Sequence, residues 1–189
     1  MDVLTRQRFF SEITRQLTDM SWLIAVMLKL SRVDAGVVEF QRQFCHVKTV
    51  VEEVVQKLEI AAEWKEISIL TDVPESIGVY ADKKWMVEAL MNIVKNAIEH
   101  SFPGGSVEVK GEENEVYTQI IIRDSGEGMT EEERRKLFQR FYKGASVKED
   151  SVGIGLALAK EIIEKQGGYI SVDSQMGKGT VFRIRFVHR

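Results

Sequence analysis

The sequence of 189 residues has one cysteine, two prolines and no long apolar run. The single cysteine, Cys45, excludes an intramolecular disulfide framework and a cysteine-based zinc site, and it fits a reducing compartment. The most apolar stretch, WLIAVMLKL at residues 22–30, is about half the length that a membrane-spanning helix needs, and it includes a lysine. No signal peptide precedes it, so we expect this chain to be soluble and cytoplasmic.

The chain also lacks an excess of basic residues. Its formal net charge is -3 and its isoelectric point is about 5.7, so it has no overall positive charge that would attract nucleic acid or anionic lipid. With 44% hydrophobic and 29% charged residues, it has the composition of a soluble globular protein with one full domain and an appendage. We therefore expect no nucleic-acid partner.

The first thirty-odd residues follow a helical pattern. Apolar residues recur at alternating spacings of three and four, which places them on one stripe of a helix. These residues are Phe10, Ile13, Leu17, Met20, Ile24 and Met27. Further leucines widen the apolar surface, so the pattern predicts a helical bundle rather than a two-stranded coiled coil. Gly36 is predicted to cap the end of this helix.

From residue 47 onwards, helical patterns alternate with short β-branched runs. Helices are predicted at 47–64, 82–100, 130–138 and 155–166, and strands at 67–71, 106–111, 116–123 and in two runs within 167–186. The first of these helices has a predicted buried face of Val50, Val51, Val54, Leu58 and Ala61. This order predicts an α+β fold: a two-layer α/β sandwich with a mixed, mainly antiparallel sheet covered by helices on one face, preceded by one long amphipathic helix.

Two asparagines lie four residues apart in the helix predicted at 82–100. Asn92 and Asn96 share one face of this helix, although asparagine is a poor residue for a helix interior. They are either solvated or capping amides, or they present a side-chain oxygen to a hard cation such as Mg²⁺. Both interpretations remain open on this motif alone.

Three glycine-containing or aromatic motifs follow in chain order. In DSGEGM, at 124–129, the acid either caps a tight turn or serves a ligand. Taken alone, FQRFYKG at 138–144 is an apolar anchor for a loop. VGIGLALAKEII at 152–163 places two glycines at a helix start, where free N–H groups favour an anion. The later run MGKGT, at 176–180, lacks the glycine spacing of a Walker A loop and is predicted to form a hairpin turn.

In this order the four motifs resemble the catalytic and ATP-binding domain of the sensor histidine kinases, which shares its nucleotide-binding fold with Hsp90 and DNA gyrase. The resemblance covers nearly the whole chain. Its boxes are the Asn box at Asn92 and Asn96, the first Gly box at Asp124, Gly126 and Gly128, the Phe box at Phe138 and Phe141, and the second Gly box at Gly153 and Gly155.

The resemblance implies how the base of ATP is bound. Asp124 is expected to accept a hydrogen bond from the exocyclic amine of adenine, and its loss would leave a buried acceptor unpaired. Gly126 and Gly128 are expected to let the backbone approach the ring. The further residues implied to line the nucleotide are His100, Met129, Phe138, Phe141, Tyr142, Ile154, Leu156 and Thr180.

The resemblance also implies a phosphate side of the site. Asn96 is expected to hold Mg²⁺ against the phosphates, with Asn92 beside it. Lys143 is expected to direct its charge at the terminal phosphate, and the N–H groups of the second Gly box to bind the phosphate chain. Residues 143–151 are then expected to act as a lid.

One position favours phosphoryl transfer over hydrolysis. Hydrolysing relatives have a glutamate one helical turn before the metal-binding asparagine, and here that position is Asn92, whose amide cannot take a proton. The family often has a basic residue and then tyrosine where this chain has Glu99 and His100, and a glycine where Ser151 stands. Two alternatives therefore stay open: a degenerate module that acts through protein contacts, and an ATPase.

The N-terminal helix resembles the second helix of the dimerisation and histidine-phosphotransfer domain. The predicted domains are a partial helix of that kind at 1–36, a linker at 37–46 and the catalytic ATP-binding domain at 47–189. None of the three histidines matches the phosphoacceptor of the family, so we expect the chain to bind ATP and Mg²⁺ without phosphorylating itself. It is expected to belong to a sensor kinase of the cell membrane, on the cytoplasmic side. Its expected partners are the phosphoacceptor helix in cis or trans, a second copy of the full-length protein, and a response regulator.

Overall fold

The computed structural model describes residues 3–142 and 153–188, and its first element is a long helix, α1 (Val3–Asp34). The helix ends as predicted, because Gly36 adopts a φ of +68° and its N–H donates to the carbonyl oxygen of Val33 at 3.1 Å. The predicted apolar stripe, from Phe10 to Met27, is exposed in the single chain. Other residues near the end of α1 are buried instead: Val26, Leu30 and Val33.

Four shorter helices and seven strands follow among the described residues. They are β1 (Gln43–His46), α2 (Val47–Trp64), β2 (Ser68–Asp72), β3 (Gly78–Ala81), α3 (Lys83–His100), β4 (Ser106–Glu113), β5 (Tyr117–Asp124), α4 (Glu131–Lys136), α5 (Gly155–Lys165), β6 (Gly168–Gln175) and β7 (Gly179–Val187). All the helices and strands predicted from residue 47 onwards are present. The sequence did not predict β1 and β3, which pair antiparallel with each other and have only 4 residues each.

The main sheet has the strand order β2-β4-β5-β7-β6. Only the pair of β2 and β4 is parallel, and the other pairs are antiparallel, which confirms the mixed, mainly antiparallel sheet. One face is buried under α2, α3 and α5. Its central residues are Val107, Val109, Ile120, Ile122, Phe182 and Ile184. The sheet is therefore covered by helices on one face, as the sequence predicted.

Local sequence explains the two long helices under the sheet. The valines predicted for α2 and Leu58 are buried, but the prediction of Ala61 was wrong: Ala62 is buried and Ala61 is exposed. Ala62 follows Leu58 by four residues, so both lie on one face of the helix. The start of α3 is capped by Asp82, whose Oδ1 accepts from the N–H of Lys84 at 3.0 Å.

Two ion pairs fasten the end of α1 to the rest of the protein. Lys29 Nζ lies 2.8 Å from Glu88 Oε1 on α3, and Arg140 Nη2 lies 2.9 Å from Asp34 Oδ2. The pairs bring α1 beside α3 and the segment after α4. Within residues 3–142 and 153–188, no helix is long and apolar enough to cross a membrane.

Candidate functional site

Asp124 is the last residue of β5, and its side chain is buried at the end of the sheet. Its Oδ1 accepts hydrogen bonds from the backbone N–H groups of Gly126 and Thr180, each at 3.0 Å. Burial raises the pKa of Asp124 above its ordinary value, while these two hydrogen bonds act in the opposite direction. Oδ1 takes both backbone donors, and no hydrogen bond from a described backbone N–H reaches Oδ2.

The segment that follows Asp124 is pressed between two other parts of the backbone. A β-carbon on Gly126 would lie 2.1 Å from the carbonyl oxygen of His100. Gly128 has a φ of +69°, and a β-carbon there would lie 2.0 Å from the carbonyl oxygen of Gln175. Both glycines are thus required by the packing of the protein itself, which is a reason beyond the expected approach to a ligand.

Gly179 is a residue of this site that was not predicted from the sequence. It adopts a φ of +80°, and a β-carbon there would lie 2.1 Å from the carbonyl oxygen of Asp124. The run MGKGT does form the predicted hairpin turn, between β6 and β7. The structure adds that this turn carries Gly179 and Thr180 against the acid, a long-range contact for which the sequence gives no separate signal.

The hairpin also holds Met129 in place. The N–H of Met129 donates to Ser174 Oγ at 2.9 Å, and Ser174 Oγ lies 3.0 Å from Thr180 Oγ1. Met129 is half-buried and Thr180 is buried. The strands β6 and β7 therefore form one wall beside Asp124.

The two asparagines of α3 have different surroundings. Asn92 Nδ2 donates to the carbonyl oxygen of Glu88 at 2.9 Å. Its Oδ1 lies where a side chain on Gly155 would project, because a β-carbon there would be 2.7 Å away. Asn96 is half-buried, and its amide forms no hydrogen bond with any described residue. Asn92 thus packs against the start of α5, while Asn96 keeps its side-chain oxygen for another partner.

The end of α3 carries Glu99 and His100. The carboxylate of Glu99 lies 3.7 Å from Lys95 Nζ, and both side chains are exposed. His100 Nδ1 lies 2.9 Å from Glu127 Oε1, and both of these side chains are about one quarter to one third exposed, at 26% and 33%. Glu127 lies between the two glycines of the first Gly box. No role for Glu127 was predicted from the sequence.

The Phe box joins two neighbouring parts of the protein. Phe138 is half-buried and packs edge-on against Phe182, with ring centroids 6.5 Å apart. Phe141 is 56% exposed with a φ of +63°, and its N–H donates to the carbonyl oxygen of Gly153 at 2.9 Å. A β-carbon on Gly153 would lie 2.3 Å from the carbonyl oxygen of Tyr142. Residues 141–142 and 153 therefore lie side by side.

The second Gly box begins α5, which has 11 residues. Ile154 is buried and Leu156 is half-buried. Lys143, Ser151 and the expected lid at 143–151 lie outside the described residues. No group of three or more His, Cys, Asp or Glu side chains that could hold a metal occurs in the parts of the chain that the structure describes.

The contacts thus gather predicted residues into two groups. Asp124, Thr180 and the first Gly box form one group beside His100, and Asn92 with Gly155 of the second Gly box forms the other. The helix α3 connects them, since Asn92 and His100 are eight residues apart and so about 12 Å apart along the helix axis. The arrangement suits an elongated ligand with a hydrogen-bond donor at one end and negative charge at the other.

Comparison with known proteins gives a matching family. The family described as "Histidine kinase-, DNA gyrase B-, and HSP90-like ATPase" matches residues 81–189. The heme sensor protein HssS of Staphylococcus saprophyticus is 32% identical over 182 residues, which are 96% of this chain and 39% of that protein. The sensor histidine kinase WalK of Bacillus subtilis is 30% identical over 190 residues, with 96% and 31% covered. The chain thus spans well under half the length of these two relatives.

Solved structures agree with the fold. The catalytic domain of the histidine kinase ThkA superposes with a TM-score of 0.69 at 26% identity, covering 79% of this chain and 96% of that domain. The Acinetobacter baumannii histidine kinase AdeS superposes with a TM-score of 0.81 at 24% identity, covering 99% of this chain and 85% of that chain. The second superposition includes α1, because it covers nearly the whole chain.

Proposed function

The chain belongs to the family of histidine kinase-, DNA gyrase B- and HSP90-like ATPases, and we propose that it is the catalytic part of a sensor histidine kinase. Residues 81–189 are the ATP-binding domain of that family. In the proposed reaction the terminal phosphoryl group of ATP passes to a histidine of the parent kinase and then to an aspartate of a response regulator. The parent kinase is proposed to be a dimer of the cell membrane, with this domain in the cytoplasm.

The buried carboxylate of Asp124 is the observation that carries the proposal. Its Oδ2 is the oxygen free of the two backbone hydrogen bonds on Oδ1, and in the proposed complex it accepts from the exocyclic amine of adenine. A guanine ring presents an oxygen at the same position, which would face this acceptor unpaired. A buried acceptor left without a donor costs about 1–3 kcal/mol, so the site should prefer ATP to GTP.

The phosphate side is proposed to lie between α3 and the start of α5. The amide oxygen of Asn96, which accepts no hydrogen bond from a described residue, fits Mg²⁺, because this ion takes a few protein oxygens and completes its shell with water and phosphate. Bound there, the ion would neutralise phosphate charge. Backbone N–H groups at Gly153 and Gly155 are proposed to bind the phosphate chain, and Lys143, outside the described residues, to face the terminal phosphate.

The surroundings of Asn92 favour transfer to a histidine over hydrolysis. Its Nδ2 is used as a donor to the backbone of α3, and an amide cannot accept a proton from water at neutral pH. None of the chain's three histidines, His46, His100 and His188, matches the phosphoacceptor position of the family. The acceptor is therefore proposed to be a histidine outside this sequence.

The N-terminal part is proposed to work as a bundle helix. The stripe from Phe10 to Met27 is exposed in the single chain, and such a stripe needs other helices to cover it. We propose 1–36 as part of the dimerisation and phosphotransfer domain, 37–46 as the linker and 47–189 as the catalytic domain. The phosphoacceptor helix would lie in the same chain or in its dimer partner.

A phosphotransfer assay tests this function. A longer form of the protein that includes the phosphoacceptor helix should take label from γ-labelled ATP as an acid-labile, base-stable phosphohistidine. The label should be lost in Asn96→Ala. Release of inorganic phosphate without a labelled histidine would instead support an ATPase, and tight ATP binding with neither product would support a degenerate module.

A further inference from the structure

Three groups of Glu127 contact other segments of the protein: its carboxylate, its backbone N–H and its backbone carbonyl. Its Oε1 lies 2.9 Å from His100 Nδ1, and its N–H donates to the carbonyl oxygen of His100 at 3.4 Å. Its own carbonyl oxygen accepts from the N–H of Gly177 at 2.6 Å. The end of α3 therefore holds Glu127 on one side, and the turn between β6 and β7 holds it on the other.

We propose that the pair of His100 and Glu127 positions the carboxylate of Asp124 for adenine. This inference rests on the proposed ATP-binding function. Glu127 follows Asp124 by three residues and is flanked by Gly126 and Gly128, which have more conformational freedom to lose than other residues. The contact of His100 with Glu127 offsets this loss of conformational entropy, so the pair keeps the segment ordered where the base is bound.

The pair also joins the two ends of the site. His100 is the last residue of α3, the helix that carries Asn92 and Asn96. The pair of His100 and Glu127 therefore sets the position of the base-binding segment relative to the phosphate-binding helix. In this arrangement His100 acts through Glu127 and is a positioning residue, rather than a contact of the terminal phosphate.

The position of His100 near Asp124 supports the same role. Burial is the main effect on the pKa of Asp124 and raises it, whereas His100 is among the groups that lower it. The side chain that holds the segment therefore also favours the ionised acceptor. Because both members of the pair are partly exposed, at 26% and 33%, their removal should affect overall stability little.

The test compares His100→Ala, Glu127→Ala, the double variant and Glu127→Gln in the intact chain. Each alanine variant should weaken the binding of ATP and of ADP by the same factor of about fivefold, the order of one hydrogen bond. The double variant should lose no more than either single one, because the pair acts as a unit. Glu127→Gln keeps an acceptor for His100 and should bind within about twofold of the wild type.

The chain offers a matched control pair far from the site. His188 Nε2 lies 3.4 Å from Glu113 Oε1 near the start of β5, whereas Asp124 is at its end. His188→Ala should leave nucleotide affinity unchanged. Melting temperatures measured without nucleotide should be similar for all variants. If His100→Ala fails to fold, the difference between Glu127→Ala and Glu127→Gln decides the test.

Several results would overturn the inference. Wild-type affinity in both alanine variants would show that the pair positions nothing, and so would an equal loss in His188→Ala. A loss confined to ATP, with ADP unaffected, would place His100 at the terminal phosphate. Each of these leaves the proposed function standing, because the wild type still binds ATP. Failure of the folded wild type to bind ATP would overturn both.

Discussion

Replacing Asp124 by asparagine should weaken ATP binding without disturbing the fold. In Asp124→Asn the amide oxygen can still accept the two backbone N–H groups that Oδ1 binds at 3.0 Å. The other atom becomes an NH₂ donor, which in the proposed complex faces the amine donor of adenine. A hydrogen bond to a charged group contributes about 1.5–3 kcal/mol, so the dissociation constant should rise by roughly 10- to 150-fold.

Competition against a fluorescent ATP analogue measures this change, and thermal unfolding without nucleotide checks the fold. Asp173→Asn is the matched control, because Asp173 lies on β6, is exposed and pairs with Arg183 away from the buried acid. It should bind ATP as the wild type does. Unchanged ATP affinity in Asp124→Asn, or an equal loss in Asp173→Asn, would refute the assignment of adenine recognition to Asp124.

The remaining predictions concern the same site. ATP affinity should increase as the pH rises through the raised pKa of Asp124, because the ionised form is the better acceptor; a pH-independent affinity across the acid range would contradict this. The free energy of unfolding of the nucleotide-free protein should depend on pH in the opposite sense. A carboxyl group whose pKa is raised on folding adds stability below its unfolded pKa, and this stability is lost as the pH rises through its folded pKa. Denaturant unfolding of Asp124→Asn should lack this loss. Gly179→Ala should lower the denaturation midpoint more than Gly177→Ala does. Both glycines have a positive φ, so both substitutions introduce a backbone strain of about 1–2 kcal/mol. Of the two, only the β-carbon at position 179 would also clash with backbone, 2.1 Å from the carbonyl oxygen of Asp124. Asn96→Ala should weaken ATP binding when Mg²⁺ is present and have little effect when Mg²⁺ is chelated; equal losses in both titrations would remove Asn96 from the metal site.

Much of the fold follows from local sequence. The bounds of α2 agree with prediction because its apolar residues repeat at helical spacing, and those of α3 agree because Asp82 caps its start. The strands β1 and β3 were missed because neither is long enough to show an alternating pattern, and each depends on pairing with the other. The error at Ala61 is one residue, which is the difference between two neighbouring faces of α2.

The candidate site also has residues that the sequence could predict and residues that it could not. The resemblance carried by the order of the motifs led to the prediction of Asp124, Asn92 and Asn96, whereas each motif alone left a structural and a functional interpretation open. The roles of Glu127 and Gly179 could not be predicted from the sequence. Both depend on contacts between segments that are far apart in the chain: the end of α3, the first Gly box and the turn between β6 and β7.

Calorimetric titration of ATP and Mg²⁺ into this chain, with GTP titrated as the control nucleotide, most directly tests the claim that the chain binds ATP and recognises its adenine. We expect saturable binding of one ATP per chain, with GTP bound at least about tenfold more weakly, which is the order of one unsatisfied buried hydrogen bond. No heat of binding from a chain that circular dichroism shows to be folded, or equal affinity for ATP and GTP, would contradict it.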